Sequence, residues 1–421
     1  MHEPARPTGG PPWGPPDPPR PAEPRQEIVE LASRLAPALA ARAAGYDEAD
    51  AFAHEDFDDL LASGYTAITV PTDLGGMGAS ALDLVAAQSR LAEGSPATAL
   101  AVNMHLHGVG ILAEGFRDRV EPFLKQVVGE GAMLAGGFSE PQSGGNWWYQ
   151  ATTATPLPGG GYRLSGTKTF FTGWPRATHL FLTAAVETGG DREPIGFLVP
   201  RPERGARVLG DWKAMGMRAT GSHALAIDEL EIPPECVVAQ GFPVAVSFLV
   251  GSHWSWPSFA SIFLGAAEAA FRHVADGLPR RRNEGLGQTL SELPGVQQAV
   301  GEMRMKLDAA RATLLAAVAA PPDPDPVAHY GRMAAAKLFT CQTALEVCTL
   351  ALRTAGGSGY LRTGPLERLL RDAHAGLLLP PSHDATLQWL GRVELGSGTA
   401  PGGGGSGGLK ERSGSPPGDR A

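Results

Sequence analysis

The residues that point most directly to chemistry form a loop and a strand near the middle of the 421-residue chain. The loop, GGFSEPQSGGN at residues 136–146, combines small residues with Ser139, Glu140 and Pro141. The later run LSGTKTFFTGW, residues 164–174, has the pattern of a strand and carries two aromatic residues followed by a threonine. Backbone N–H groups, hydroxyls and an aromatic wall suit a planar, hydrogen-bonding cofactor. We therefore expect a flavin at this place.

Composition limits the classes of protein to which the chain can belong. Hydrophobic residues make up 43% and charged residues 19% of the sequence, and no apolar run is long enough to cross a membrane. The net charge of -9 argues against a nucleic-acid partner, which requires clustered Lys and Arg. The proline-rich start lacks the apolar core of a signal peptide, so a cytoplasmic location without a membrane partner is expected.

Changes in amino-acid composition and hydrophobic patterning divide the chain into five segments. Residues 1–25 are expected to be a disordered Pro-rich leader, and residues 396–421 a disordered Gly-rich tail. Between them, residues 26–133 show helical patterning, residues 134–240 show short β-rich runs, and residues 241–395 return to helical patterning. The fold class predicted from this order is α+β and mostly α.

The C-terminal segment has the strongest periodicity. Apolar residues from Val296 to Ala317, and again from Ala334 to Ala355, repeat at intervals of three and four, as on one face of a long helix. The PPDPDP run at residues 321–326 is expected to be the turn between these two helices, because proline cannot continue the first of them. The two helices are therefore predicted to pack antiparallel in a bundle.

Five motifs in this order resemble those of the acyl-CoA dehydrogenase family of flavoproteins, over about residues 26–392. The resemblance implies an N-terminal helical domain, a central β-barrel domain, a C-terminal four-helix bundle and FAD as the cofactor. It also implies an acyl thioester as the substrate. The motifs are PTDLGGMGAS at 71–80, FSEPQSGG at 138–145, GTKTFFTG at 166–173, MGMRATGSHALAIDELEIP at 215–233 and GGSGYLRTGPLERLLRD at 356–372.

The resemblance also implies two groups of cofactor-binding residues. Phe138, Ser139, Phe170 and Thr172 contact the flavin ring and its attached chain in that interpretation. A second group is implied to reach the FAD of a neighbouring subunit in a homodimer or homotetramer, and it consists of Arg282, Gln297, Arg353, Gly356 and Gly357.

The residue that would act as the catalytic base departs from the family pattern. Dehydrogenation between the α- and β-carbons of a thioester requires a group that removes the α-proton, and in the family that group is a Glu. Family members carry this Glu at one of two positions, and in this chain the resemblance places Pro380 at the first and Ser255 at the second. The candidate replacements are Asp384, His383 and His105.

Residues expected to meet the substrate lie in the same regions. The resemblance places Gly145 and Trp147 at the substrate mouth and Ser255 at the emptied second position of the base. His, Cys, Asp and Glu residues nowhere show the spacing of a metal site, so no metal is predicted.

Three functions remain open from the sequence. The first is FAD-dependent dehydrogenation of an acyl thioester, bound to CoA or to a carrier protein, with an atypical base; it is preferred because most flavin-facing residues persist. The second is a flavin-dependent monooxygenase on the same scaffold, which the missing Glu favours. An electron-transfer partner or a flavin reductase would accompany these reactions. The third is a degenerate, non-catalytic flavoprotein.

Overall fold

The computed structural model describes residues 23–142, 150–241 and 251–395, which form helices, then strands, then helices again. This order confirms the predicted α+β fold class with its mostly helical content. The predicted disorder of the leader and the tail concerns residues that lie almost entirely outside the described ranges. The first helix begins at Gln26, immediately after Arg25, whose backbone N–H donates to Asp83.

The N-terminal helical part is built from segments with clear helix-start signals. Ser80 and Asp83 form a capping box at the start of α3, and Ser95 caps α4 with Pro96 in its first turn. α4 is buried around most of its circumference, which accounts for its nearly continuous apolar sequence. The five helices are α1 (Gln26–Ala49), α2 (His54–Ala62), α3 (Ala81–Ala92), α4 (Pro96–Gly115) and α5 (Arg117–Glu130).

The middle part is a mixed sheet of eight strands. Its hydrogen-bonded order is β6-β7-β3-β2-β4-β5-β8, and β1 pairs in parallel with β4. Strand β4 is buried on both faces, because Leu180 and Leu182 face the core of the sheet while Phe181 packs toward α5. The strands are β1 (Leu134–Gly137), β2 (Thr153–Pro156), β3 (Tyr162–Phe171), β4 (His179–Thr188), β5 (Asp191–Pro200), β6 (Ala206–Val208), β7 (His223–Ile232) and β8 (Val237–Gln240).

The C-terminal part is a bundle around one central helix, α6. This helix packs on α8 within the bundle and on α3 and α4 of the N-terminal part, so one apolar core runs through both helical regions. A short hairpin of β9 (Arg282–Asn283) and β10 (Gln288–Thr289) follows α6. The helices are α6 (Ser252–Gly277), α7 (Pro294–Ala319), α8 (Pro326–Ala355), α9 (Leu366–Leu378) and α10 (His383–Glu394).

The two helices predicted from periodicity are present and bury the predicted faces. Met303, Leu307 and Leu314 of α7 are fully buried. The predicted turn lies between the helices, but its last proline, Pro326, is the first residue of α8. Asp325 caps that helix by accepting the Val327 backbone N–H at 2.9 Å, which proline at the first helical position permits.

Two negative findings apply to the part of the chain that the structure describes. Within it, no helix is both long enough and apolar enough to cross a membrane. In the same ranges, no group of three or more His, Cys, Asp or Glu side chains is arranged to hold a metal ion.

Candidate functional site

A cavity of about 350 Å³ lies where the three parts of the molecule meet. One wall comes from β1, β3 and the segment 212–222 of the β part, and the opposite wall comes from α4, α6 and α9. The volume falls within the range of small-molecule sites. We refer to these two sides as the β wall and the helical wall.

Phe170 is the most unusual residue of the β wall. A β-bulge places Thr169 and Phe170 opposite a single residue of β7, and Phe170 adopts a left-handed backbone with φ of 57°. The bulge redirects its side chain, so that Phe170 is 58% exposed and lines the cavity while its neighbour Phe171 is fully buried. Among the described residues, Trp212 is the only aromatic side chain that packs against the Phe170 ring. The two rings meet edge to face, with 6.1 Å between their centroids.

Hydroxyl-bearing residues also line the β wall. The oxygens of Thr172 and Ser222 are 2.8 Å apart, those of Ser222 and Thr220 are 2.7 Å apart, and Thr220 donates to the Met217 carbonyl at 2.8 Å. The Thr172 hydroxyl also lies 3.4 Å from the Phe170 carbonyl, to which it can donate. Thr172 lines the cavity, so its hydroxyl oxygen can accept a hydrogen bond from a ligand there.

A buried charge network fixes the loop that carries Ser139. Lys168, fully buried on β3, donates to Glu140 and Gln150 at 2.6 Å each. Glu140 also accepts the backbone N–H groups of Ala151 and Thr152. Burial lowers the pKa of Lys168 to about 8, although Glu140 opposes that shift. The network therefore holds both ends of the segment 141–149 to the strand that bears Phe170.

The part of the helical wall that α4 and α6 supply is apolar except at one pair of residues. His107 of α4 and Ser255 of α6 line the cavity, and the imidazole Nδ1 lies 3.1 Å from the Ser255 hydroxyl oxygen. Both side chains are more than nine-tenths buried. The Phe259 ring packs edge-on against the imidazole, with 5.0 Å between centroids. Burial lowers the pKa of His107 to about 3, so the imidazole is neutral at physiological pH.

The cavity wall carries few ionisable groups. Among the described residues that line it these are His107, His374 and Arg371, and none is an Asp or Glu. Arg371 uses all five of its N–H donors, because its guanidinium binds both Asp47 and Glu367 and donates once to the Met215 carbonyl. It therefore has no donor left for a ligand.

The structure brings several of the predicted residues together. Phe138, Ser139, Phe170 and Thr172 lie on the β wall, and Ser255 faces them from the helical wall. Pro380, which aligns with the usual base, also lines the cavity. Gly145 and Trp147, predicted at the substrate mouth, lie outside the described residues.

The three candidate bases are not part of the cavity wall. Asp384 is exposed and His383 is half-buried in the first turn of α10. His105 is fully buried on another face of α4; its Nε2 lies 2.9 Å from the Thr66 carbonyl and its Nδ1 accepts the Leu134 N–H at 2.9 Å. Because both ring nitrogens are occupied, this geometry argues against a catalytic role for His105.

The second group of predicted cofactor residues lies on the surface of the bundle, away from the cavity. Gly356 follows the last residue of α8 with a positive φ of 68°, and a Cβ there would meet no atom. Arg282 donates to the Gly287 carbonyl within the β9–β10 hairpin, and Gln297 donates to the Ser291 carbonyl. That these residues, together with Arg353 and Gly357, contact the FAD of a neighbouring subunit stays a prediction.

The sequence predicted His105 as a catalytic residue, whereas the α4 histidine that lines the cavity is His107. The α4 residues on the helical wall include Leu100, Met104, His107 and Ile111, which follow steps of four, three and four. Applying helical periodicity to this segment would have assigned His107 to the same face. Ser222 and Trp212 had no such signal, because they lie in or next to a turn segment whose course depends on the rest of the fold.

Comparison with known proteins agrees with this architecture. Models of the acyl-CoA dehydrogenase N-terminal, middle and C-terminal domains match residues 23–129, 135–230 and 258–378. A putative acyl-CoA dehydrogenase of Bacillus subtilis, YdbM, is 31% identical over 87% of this chain and 96% of its own length. The chain therefore belongs to the acyl-CoA dehydrogenase family, as the motifs predicted.

The relatives differ in the reactions that their names state. The amino sugar nitrososynthase RubN8 of Streptomyces rubradiris is 30% identical over 86% of this chain and 90% of its own length. The crystal structure of KijD3 in complex with FMN and dTDP-3-amino-2,3,6-trideoxy-4-keto-3-methyl-D-glucose is 27% identical, with a TM-score of 0.81 over 89% of this chain and 94% of that chain. Family membership therefore leaves the reaction to be argued from the site.

Proposed function

We propose that the cavity binds a flavin against the β wall and an organic substrate against the helical wall. The exposed phenyl ring of Phe170 supports this proposal, because a large aromatic face held out by a left-handed backbone suits a planar ligand. Thr172 and Ser139 offer hydroxyl contacts beside it. A bound flavin would supply an electron acceptor or, when reduced, a centre that reacts with dioxygen.

The identity of the flavin is part of the proposal. The family resemblance implies FAD, whereas KijD3 was crystallised in complex with FMN. FAD would require the neighbouring subunit's Arg282, Gln297 and Arg353, which are on the surface here. Titrating the purified protein with FMN and FAD, before and after dilution into monomers, distinguishes the two.

For the reaction, we propose oxygenation of the substrate with reduced flavin, and the lack of a carboxylate on the described cavity wall carries this choice. The neighbouring segments outside the described ranges, 143–149 and 242–250, contain no Asp or Glu in their sequence. The buried imidazole of His107, with a pKa of about 3, is a weak proton acceptor. The helical wall thus supports substrate binding and water exclusion better than removal of an α-proton.

Dehydrogenation of an acyl thioester is the second candidate. It is favoured by the apolar lining of the helical wall, which suits an acyl chain, and by the relative named as a putative acyl-CoA dehydrogenase. In that case the exposed His374 on α9, which also lines the cavity, is the one imidazole of the described wall open to solvent.

Two half-reactions separate these functions. Mixing the oxidised flavoprotein anaerobically with a panel of acyl-CoA thioesters tests dehydrogenation, and bleaching of the flavin absorbance would overturn the oxygenation proposal. Supplying reduced flavin and ¹⁸O₂ with apolar candidate substrates tests oxygenation, and we expect one labelled oxygen in the product. A protein that binds neither FMN nor FAD would instead match the degenerate flavoprotein.

A further inference from the structure

The polar groups that α4 and α6 contribute to the helical wall are concentrated at one point. Of the described residues that α4 and α6 contribute to the cavity, only His107 and Ser255 have a side chain able to hydrogen-bond through nitrogen or oxygen, apart from the indole N–H of Trp256. Around them the wall is apolar and consists of Leu100, Met104, Ile111, Leu112, Trp256 and Phe259.

The pair is held in place by the packing of the two helices. One turn away, the Asn103 amide donates to the Ser258 hydroxyl at 2.9 Å, and Ser258 in turn donates to the Ser255 carbonyl at 3.0 Å. Asn103 lies four residues before His107 on α4, and Ser258 lies three residues after Ser255 on α6. The Asn103–Ser258 and His107–Ser255 contacts therefore join the same two helix faces, one helical turn apart. The imidazole is thus fixed by its neighbours without a ligand.

One hydrogen-bonding position of the pair remains open. The Nδ1 atom of His107 is occupied by Ser255, and no described residue hydrogen-bonds its Nε2. Since the ring lines the cavity and is only 7% exposed, a ligand in the cavity is the natural partner for Nε2. A neutral imidazole can donate or accept there, depending on its tautomer.

The cavity offers no charge that could neutralise a charged ligand at its buried end, as far as the described wall extends. The guanidinium of Arg371 has no free donor, and His374 lies at the exposed side. A carboxylate or ammonium placed beside His107 would lose its water without gaining an opposite charge, which is strongly unfavourable. We infer that the His107–Ser255 pair binds the single polar group of a compact, uncharged and otherwise apolar substrate.

This inference rests on the proposal that the cavity is the substrate site, and calorimetry with four matched probes tests it. The probes are 2-naphthol, naphthalene, 2-naphthoate and 2-naphthylmethylammonium, added to the full-length protein as purified. We expect 2-naphthol to bind at least about tenfold more tightly than either charged probe, because of their desolvation. Equal affinity for a charged probe, or no binding by any probe, would overturn the inference.

Variants identify the residues. His107→Phe keeps an aromatic ring at this position and removes the hydrogen bond, so we expect it to weaken 2-naphthol binding roughly two- to tenfold and to leave naphthalene binding unchanged. Ser261→Ala, which lies further along α6 and outside the cavity wall, is the control and should change neither probe. A parallel loss for both probes in His107→Phe would show a packing role and refute the inference.

The flavin proposal and this inference fail separately. Flavin content is read from visible absorbance, whereas probe binding is read from heat. A protein that stays colourless after incubation with FMN and FAD but still prefers 2-naphthol would refute the flavin proposal alone. A flavoprotein without this preference would refute the inference alone.

Discussion

Phe170 combines two features that do not favour stability, a left-handed backbone and an exposed aromatic ring. A side chain with a Cβ in that backbone region costs about 1–2 kcal/mol, and the exposed ring recovers little by packing. The adjacent Phe171 has an ordinary backbone and full burial. This contrast is what we expect if Phe170 contacts a ligand, as we propose.

We predict that Phe170→Asn raises the free energy of unfolding of the flavin-free protein by about 1 kcal/mol, because Asn tolerates the left-handed region. The same change should weaken flavin binding about tenfold, since a stacking surface is lost. Urea unfolding and fluorescence titration measure the two effects. Phe171→Ala is the comparison, with an expected loss of roughly 3–5 kcal/mol; a similar loss for Phe170→Asn would contradict the prediction.

Asp372 gives a pH dependence with a definite sign. Its carboxylate is buried and accepts the Met217 backbone N–H at 2.6 Å, and burial raises its pKa to about 6. Between its unfolded pKa near 4 and this value, the folded protein binds the proton more tightly than the unfolded chain does. The contribution of Asp372 to stability is therefore present at low pH and is lost as the pH rises through about 6.

We predict that Asp372→Asn removes this dependence, because the amide oxygen can still accept the Met217 N–H while the charge is absent. At pH 7.5 the variant should be more stable than the parent by up to about 3 kcal/mol, at 1.36 kcal/mol per unit of pKa. At pH 4 the difference should be close to zero. Urea unfolding at both pH values measures it, and equal differences at the two would refute the assignment.

Among secondary-structure elements, the sequence predicts those with strong periodicity and misses local irregularities. The buried apolar faces of α7 and α8 can be predicted from the spacing of their apolar residues alone. The strand with Phe170 can be predicted from its β-branched and aromatic residues. The β-bulge at Thr169 and Phe170 could not be predicted, because it depends on the register with β7. The same limit applies to His107, whose partner Ser255 is distant in sequence and adjacent only after folding.

The end of α9 depends on one residue of α8. Lys337 is fully buried, and its ammonium donates to the carbonyls of Gly376, Leu379 and Pro381 at 2.8, 2.8 and 2.9 Å. These are carbonyls at or just after a helix C-terminus, where a cation also interacts favourably with the helix dipole. Lys337 thereby positions the segment that includes Leu379 and Pro380 on the cavity wall.

We predict that Lys337→Met lowers the free energy of unfolding by roughly 3 kcal/mol, because three buried carbonyls lose their donor. Ligand affinity at the cavity should fall with it, since the 379–381 segment is released. Lys306→Met is the matched control: Lys306 pairs with Glu346 near the surface, where such a change costs about 1 kcal/mol or less. Equal losses for the two variants would contradict the role given to Lys337.

On the scale of the whole molecule, the three parts are joined beside the cavity. Arg371 of α9 binds Asp47 of α1 and the Met215 carbonyl of the β part, and hydrogen bonds to Asp47 raise the pKa of its guanidinium further. Next to it, Asp372 holds Met217. Gly216 lies between these contacts, and a Cβ there would come within 2.5 Å of the Arg371 backbone.

We predict that in Arg371→Met the three parts no longer unfold together. The substitution leaves Asp47 without its main partner and removes the hydrogen bond that links α9 to the β part. Urea unfolding followed by tryptophan fluorescence and by far-UV circular dichroism should give coincident curves for the parent and separate curves for the variant. Arg163→Met, which breaks a surface pair with Glu231 inside the β part, should keep the curves coincident. Coincidence in both variants would show that Arg371 is not needed for coupling.

The attachment of Glu140 and Gln150 to Lys168 makes the intervening stretch exchangeable. Both ends of the segment 141–149 are anchored on one ammonium group, so its sequence can be replaced without altering the strand that carries Phe170. Libraries randomised between these anchors are therefore expected to retain the position of the Phe170 strand. The two anchors thus mark where enzyme engineers could graft a short peptide.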